Sequence, residues 1–170
     1  LAVAGLLVII AVYDLRHTII PDEWAYWFAG LAFLVTLAGI TSQRDAFDIV
    51  MSLLAGPLAA FPLFALWAIS QGKWMGLGDP KLALGIGWLV GVPMGLYAIF
   101  FAFIIGAVIS VFVLIPFSYL RGRVGITRLD TLRPGLTIKS EVPFGPFLVA
   151  SCILVWGMMM YGITIPFFIV

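Results

Sequence analysis

Two acids, Asp14 and Asp79, each stand at the edge of an apolar stretch. Carboxylates held close together cannot both ionise cheaply, so one keeps a proton while the other can draw a proton from water. That is the chemistry of an aspartic hydrolase. Asp14 opens the string Asp14-Leu15-Arg16-His17-Thr18-Ile19-Ile20-Pro21-Asp22, and Asp79 closes Gly76-Leu77-Gly78-Asp79. Each acid also has a plainer reading. Asp14 fits an interfacial charge paired with Arg16, and Asp79, followed by Pro80, fits the N-cap of a helix. Gly76 and Gly78 allow close backbone approach, which suits a tight helix start and equally a substrate strand passing beside the acid. Asp22, after Pro21 and before Glu23 and the aromatic run Trp24 to Trp27, reads as the N-cap of a second helix. His17 is the sole histidine, and no Ser or Cys stands in a nucleophile setting, so a triad is not supported. The one cysteine, Cys152, excludes an internal disulfide and every multi-cysteine zinc pattern. Neither a metal nor an organic cofactor is expected.

The elements that must position these acids are membrane helices. The chain has 170 residues, of which 64% are hydrophobic and 10% charged, and its mean hydropathy is +1.19. So little polar surface cannot cover a water-soluble fold, and apolar runs without alternation suit helices. Six segments can be marked, at 1–14, 24–40, 46–70, 80–92, 94–119 and 145–169. The fourth is short for a crossing and ends at Gly91-Val92-Pro93, a turn signal that predicts a tight hairpin with the fifth. Alternate crossings put Arg16, Lys73, Lys81, Arg121, Arg123, Arg128, Arg133 and Lys139 on one side and leave Arg44 on the other. By the positive-inside rule the first side is cytoplasmic, and both acids map to it. Trp24, Trp27, Trp67, Trp74 and Trp88 read as interfacial anchors. The net charge is +1, with no basic block interleaved with aromatics, so the lipid bilayer is an expected partner and nucleic acid is not. No internal repeat is visible, and a single membrane-embedded domain over 1–170 is the economical reading. These residues admit an aspartic hydrolase, a small transporter with a proton or cation path, or a scaffold that uses Asp79 only as a cap.

Three separated motifs resemble the bacterial type IV prepilin peptidases, aspartic leader peptidases of the GxGD class. They are Asp14 with Ile20-Pro21-Asp22, then Gly76-Leu77-Gly78-Asp79-Pro80-Lys81-Leu82, then Lys139-Ser140-Glu141-Val142-Pro143-Phe144-Gly145-Pro146-Phe147. The resemblance implies an all-α polytopic fold of about six transmembrane helices with Asp14 and Asp79 as the catalytic pair. It implies that Gly76, Gly78, Pro21, Asp22, Lys81, Pro143, Phe144, Gly145 and Pro146 shape the site, Asp22 taking no direct part in the chemistry. The implied reaction is removal of a short basic leader from prepilins and pseudopilins at the cytoplasmic face of the bacterial inner membrane, without cofactor or metal. On charge complementarity, the basic leader is expected near Asp22, Glu23 or Glu141. Two departures stand out. Many members carry an N-terminal cytoplasmic region with paired cysteines and a methyltransferase activity, to which nothing in these residues corresponds. Pro80 replaces the small or β-branched apolar residue usual after Gly-x-Gly-Asp.

Overall fold

The computed structural model describes residues 2–41, 45–114 and 143–162. Within them the chain forms six α-helices and no strand: α1 (Ala2–His17), α2 (Asp22–Ile40), α3 (Ala46–Ser70), α4 (Gly78–Val90), α5 (Val92–Ile109) and α6 (Gly145–Met160). A π-helical turn, Ser110–Leu114, continues α5. The helices α2, α3 and α5 with its extension are long and apolar enough to cross a bilayer, whereas α6 is a shorter apolar helix. Their outward residues, such as Leu34, Phe61 and Phe100, are apolar and exposed. Such a surface belongs in lipid, and the all-α membrane architecture read from hydropathy holds. The polar stretch from Arg121 to Glu141 lies outside the described residues.

The shortest helix holds the centre. α4 packs against α2, α3, α5 and α6, while α1 rests on α2 and α6. Close packing around α4 depends on small residues, because helices in lipid associate through van der Waals contact where backbones can approach. A Cβ at Gly87 would overlap the Ala55 carbonyl of α3, and one at Gly85 would overlap the Phe28 ring of α2. Gly91 alone connects α4 to α5, at φ +82°, a left-handed conformation that glycine adopts without steric penalty. The hairpin expected from the Gly-Val-Pro signal is therefore present.

Trp88 departs from expectation. It is half-buried between helices, and its indole N–H donates to the Leu53 carbonyl at 3.0 Å. That carbonyl is free because Pro57, four residues on and inside α3, has no N–H to offer it. A carbonyl without a partner is costly in an apolar bundle, so Trp88 is drawn inward. Its own carbonyl accepts from the Thr36 hydroxyl of α2 at 2.6 Å. The end of α4 is thereby stitched to α2 and α3.

The two expected N-caps are also corrected. α2 begins with Asp22 itself behind Pro21, and α4 begins at Gly78 behind Leu77, with no side-chain capping bond at either. Both acids are turned elsewhere, Asp22 to a lysine and Asp79 into a cavity.

Trp88→Phe should lower thermal stability in detergent by about 1 kcal/mol, the scale of interhelical hydrogen bonds in membranes. In a Pro57→Ala background, where the alanine supplies the missing backbone N–H, the cost should shrink. Equal losses in both backgrounds would separate Trp88 from the proline.

Candidate active site

Asp14 sits in the last turn of α1 and Asp79 in the first turn of α4. Both are buried, at 3% and 6% exposed. They line one cavity of about 320 Å³ at the end of the bundle where α1 finishes and α4 starts. Arg16 is exposed and no ion pair joins it to Asp14, so the reading of Asp14 as a paired interfacial charge falls. Asp79 is no cap. Among the described residues no cluster of three or more His, Cys, Asp or Glu is placed to hold a metal ion.

Three chain segments converge on this cavity. The first is the linker from α1 to α2. The Thr18 N–H donates to the Asp14 carbonyl at 2.7 Å, and Thr18 then takes φ +55°, a strained conformation for a β-branched residue. This sharp reversal carries Ile20 back into the core. Tyr13 packs edge-on against Trp24, centroids 4.9 Å apart, holding the end of α1 to the start of α2.

The second segment is the Gly-Leu-Gly-Asp turn. Gly76, Gly78 and Asp79 line the cavity, together with Lys73, Trp74 and Met75 of the preceding loop. Gly78 lies against Ile20, since a Cβ there would come within 2.9 Å of the Ile20 Cβ. Any side chain at 78 would push the acid-bearing turn off the linker.

The third segment is the start of α6. Pro143 and Phe144 line the cavity, and the Phe144 ring packs on Phe103 of α5 at 4.8 Å. Pro146 falls in the first turn of α6, where a missing N–H costs nothing. The Gly145 N–H donates to the Asp14 carboxylate. A Cβ on Gly145 would overlap Asp14 Oδ2 and approach Ile20 Cδ1 to 3.1 Å. Gly145 is thus the point where the third motif meets the first acid.

Lys81 and Asp22 form an ion pair, Nζ to Oδ1 at 2.6 Å, with Lys81 also 5.0 Å over the Tyr26 ring. Asp22 borders the cavity with its carboxylate paired to Lys81. Glu141 lies outside the described residues. His17 is exposed and stacked on Tyr13 at 4.2 Å. Thr18, which fixes the reversal, carries no sequence signal of such a role, and Ile20, which joins the three segments, stands in the first motif without its residue type indicating that contact. A left-handed position usually announces itself as Gly or Asn, and here it is Thr.

The sequence pattern of the type IV leader peptidase family matches residues 1–111, a stretch that includes both buried acids and the whole linker. The chain belongs to the type IV leader peptidase family. It is 31% identical over 161 residues to a protein of Bacillus subtilis (strain 168) described as prepilin leader peptidase/N-methyltransferase. The aligned region is 95% of this chain and 54% of the relative, so the chain spans about half the length of the curated relative it matches. No solved structure matches it. The family match ends before the third motif, yet that motif reaches the same acid through Gly145, so the leader peptidase region and α6 build one site.

Relieving the strain at Thr18 should stabilise the protein. Thr18→Asn, which tolerates φ near +55°, is expected to gain about 1 kcal/mol in thermal unfolding. A loss of stability would mean that the Thr18 hydroxyl, bonded to the His17 carbonyl at 2.7 Å, outweighs the strain.

Proposed function

We propose that this leader peptidase family member is an aspartic endopeptidase that cleaves the short basic leader from type IV prepilins and pseudopilins. Its place is the bacterial inner membrane, its active site opens to the cytoplasm, and residues 1–170 act as one membrane-embedded domain. The observation that carries the reading is the burial of Asp14 and Asp79 in one cavity at one end of an apolar bundle. A transporter would place its acids near the midplane of the bilayer. The basic residues support the cytoplasmic side, since Arg16, Lys73 and Lys81 gather at the same end as the acids.

In the proposed reaction one carboxylate is ionised and takes a proton from a water molecule as its oxygen attacks the scissile carbonyl carbon. The partner carboxyl, protonated, donates to the carbonyl oxygen and stabilises the developing charge. The tetrahedral adduct then collapses, the C–N bond breaks, and the leaving nitrogen receives the proton taken from water. The dyad ends with the number of protons it began with, and no electron transfer is required. Gly145 orients Asp14 through its N–H, and Gly78 sets the turn that bears Asp79.

The test is purified protein in lipid with a prepilin bearing a basic leader and a Gly-Phe junction, with the products identified by mass spectrometry. Wild type should cut at the junction, and Asp14→Asn and Asp79→Asn should each abolish cleavage while keeping the thermal transition. Cleavage that survives either substitution would rule out the dyad. Gly145→Ala should lower kcat by about 100-fold, the usual effect of displacing a reacting group by about 1 Å. Gly157→Ala on the same helix, where a Cβ meets open space, should leave the rate unchanged.

A further inference from the structure

Asp79 and Lys81 stand two positions apart on α4. Two helical steps turn a side chain by about 200° around the axis, so the two leave the helix on nearly opposite sides. Asp79 faces the cavity it shares with Asp14. Lys81 reaches to α2, where it meets the Asp22 carboxylate at 2.6 Å and lies 5.0 Å over the Tyr26 ring. Asp22 is the first residue of α2, directly after the linker that leaves Asp14. The same linker touches the first turn of α4 a second time, through Ile20 on Gly78.

We propose that the Asp22–Lys81 ion pair is a clamp that sets the rotation of the first turn of α4, so that Asp79 is presented to Asp14. Asp22 and Lys81 are then positioning residues for the peptidase reaction, and the inference rests on that reading. Packing of Gly85 and Gly87 on α2 and α3 and the Trp88 hydrogen bonds hold the body and far end of α4, whereas at its first turn the contact of Ile20 with Gly78 fixes the distance to the linker and leaves the twist of that turn unset. A second attachment, on the side away from the acid, removes that freedom. Lys81 is 18% exposed and Asp22 62% exposed, so the pair adds little to global stability. Its effect is directional. With Asp22 held by Lys81, its carboxylate is not a free receptor for a basic leader, and the two roles predict opposite behaviour for Lys81.

The experiment compares Asp22→Asn, Lys81→Met and the charge swap Asp22→Lys with Lys81→Asp in the full chain reconstituted in lipid. Under the clamp, each single substitution lowers kcat by about 10- to 100-fold, as misplacement of a reacting group does. KM stays within about twofold, since the clamp acts on the placement of Asp79 and not on the substrate, and the swap recovers most of kcat. Unchanged kcat in Lys81→Met, or no recovery in the swap, overturns the proposal. So does an Asp22→Asn defect confined to KM and growing with the number of basic residues in the leader. A second arm needs no cleavage. Asp14→Cys with Asp79→Cys, in a Cys152→Ser background, is cross-linked with a short bifunctional thiol reagent. The yield should fall severalfold on adding Lys81→Met or Asp22→Asn and return with the swap, whereas a yield indifferent to Lys81 overturns the clamp. Because this arm reads geometry alone, failure of the peptidase reading and failure of the clamp give different results.

Discussion

A carboxylate withdrawn from water into an apolar bundle is stable only where its surroundings replace the lost hydration, and this chain withdraws two into one cavity. That constraint organises the rest of the architecture. The end of α1 delivers Asp14, the start of α4 delivers Asp79, and the start of α6 supplies a backbone N–H to Asp14. Asp79 lies in the first turn of its helix, where the unpaired N–H groups favour negative charge. Two helix beginnings and one helix end thus meet where apolar side chains alone would leave the acids without partners. In the proposed reaction the burial that makes the pair costly is also what makes it useful, because two carboxyls that cannot both ionise cheaply supply an acid and a base side by side.

Placing Asp79 requires a helix whose first turn is buried at the end of the bundle, and α4, at 13 residues, provides it. A short helix in an apolar setting leaves backbone groups at both ends that lipid cannot satisfy. The surrounding helices stand in for water. At the far end Thr36 donates to the Trp88 carbonyl, and the Gly91 N–H donates back to the Gly87 carbonyl at 2.9 Å. Along its length, Gly85 and Gly87 let α2 and α3 press against the backbone. Lipid meets the outer helices, which are free to be long, uniform and apolar. This division explains why the most hydrophobic helix, α5, lacks any charge while α4 carries both an acid and a lysine.

Hydropathy made the helical segments legible, because crossing lipid imposes length and composition directly on sequence, and the Gly91-Val92-Pro93 turn signal did the same for the α4–α5 hairpin. The two acids were legible because an ionisable residue in such a chain has few inexpensive explanations. What lay beyond the sequence is long-range pairing. Asp22 and Asp79 both carry convincing local capping signals, and in both cases a tertiary partner prevails: Lys81 for one, the shared cavity for the other. Trp88 reads as an interfacial ring until Pro57, on another helix, is seen to free the carbonyl it serves. Gly145 was named by family resemblance, but its backbone contact with Asp14 could not be deduced from residue types. Ile20 looks like any buried aliphatic residue, and only its position between Gly78 and Gly145 makes it the hub of the site.

The cavity also bears on where a membrane-anchored polypeptide would be cut in the proposed reaction. An extended peptide carries unpaired N–H and C=O groups that hydrocarbon cannot satisfy, whereas a helix satisfies its own. A scissile bond must be extended to be attacked, so a substrate with one apolar helix can offer it only where that helix ends. The acids lie where such an end would arrive, in a cavity with Lys73 and Asp22 among its polar lining and Ile19, Met75 and Phe144 among its apolar lining. In the proposed reaction the polar part is where water, the second reactant, would enter, and the apolar part would keep it from the remainder of the bundle. Cleavage beside a hydrophobic segment then follows from the depth of the dyad as much as from recognition of any one side chain. In that arrangement the rotation of the first turn of α4 and the fold of the Asp14 linker determine both whether the two acids meet and which peptide bond lies between them.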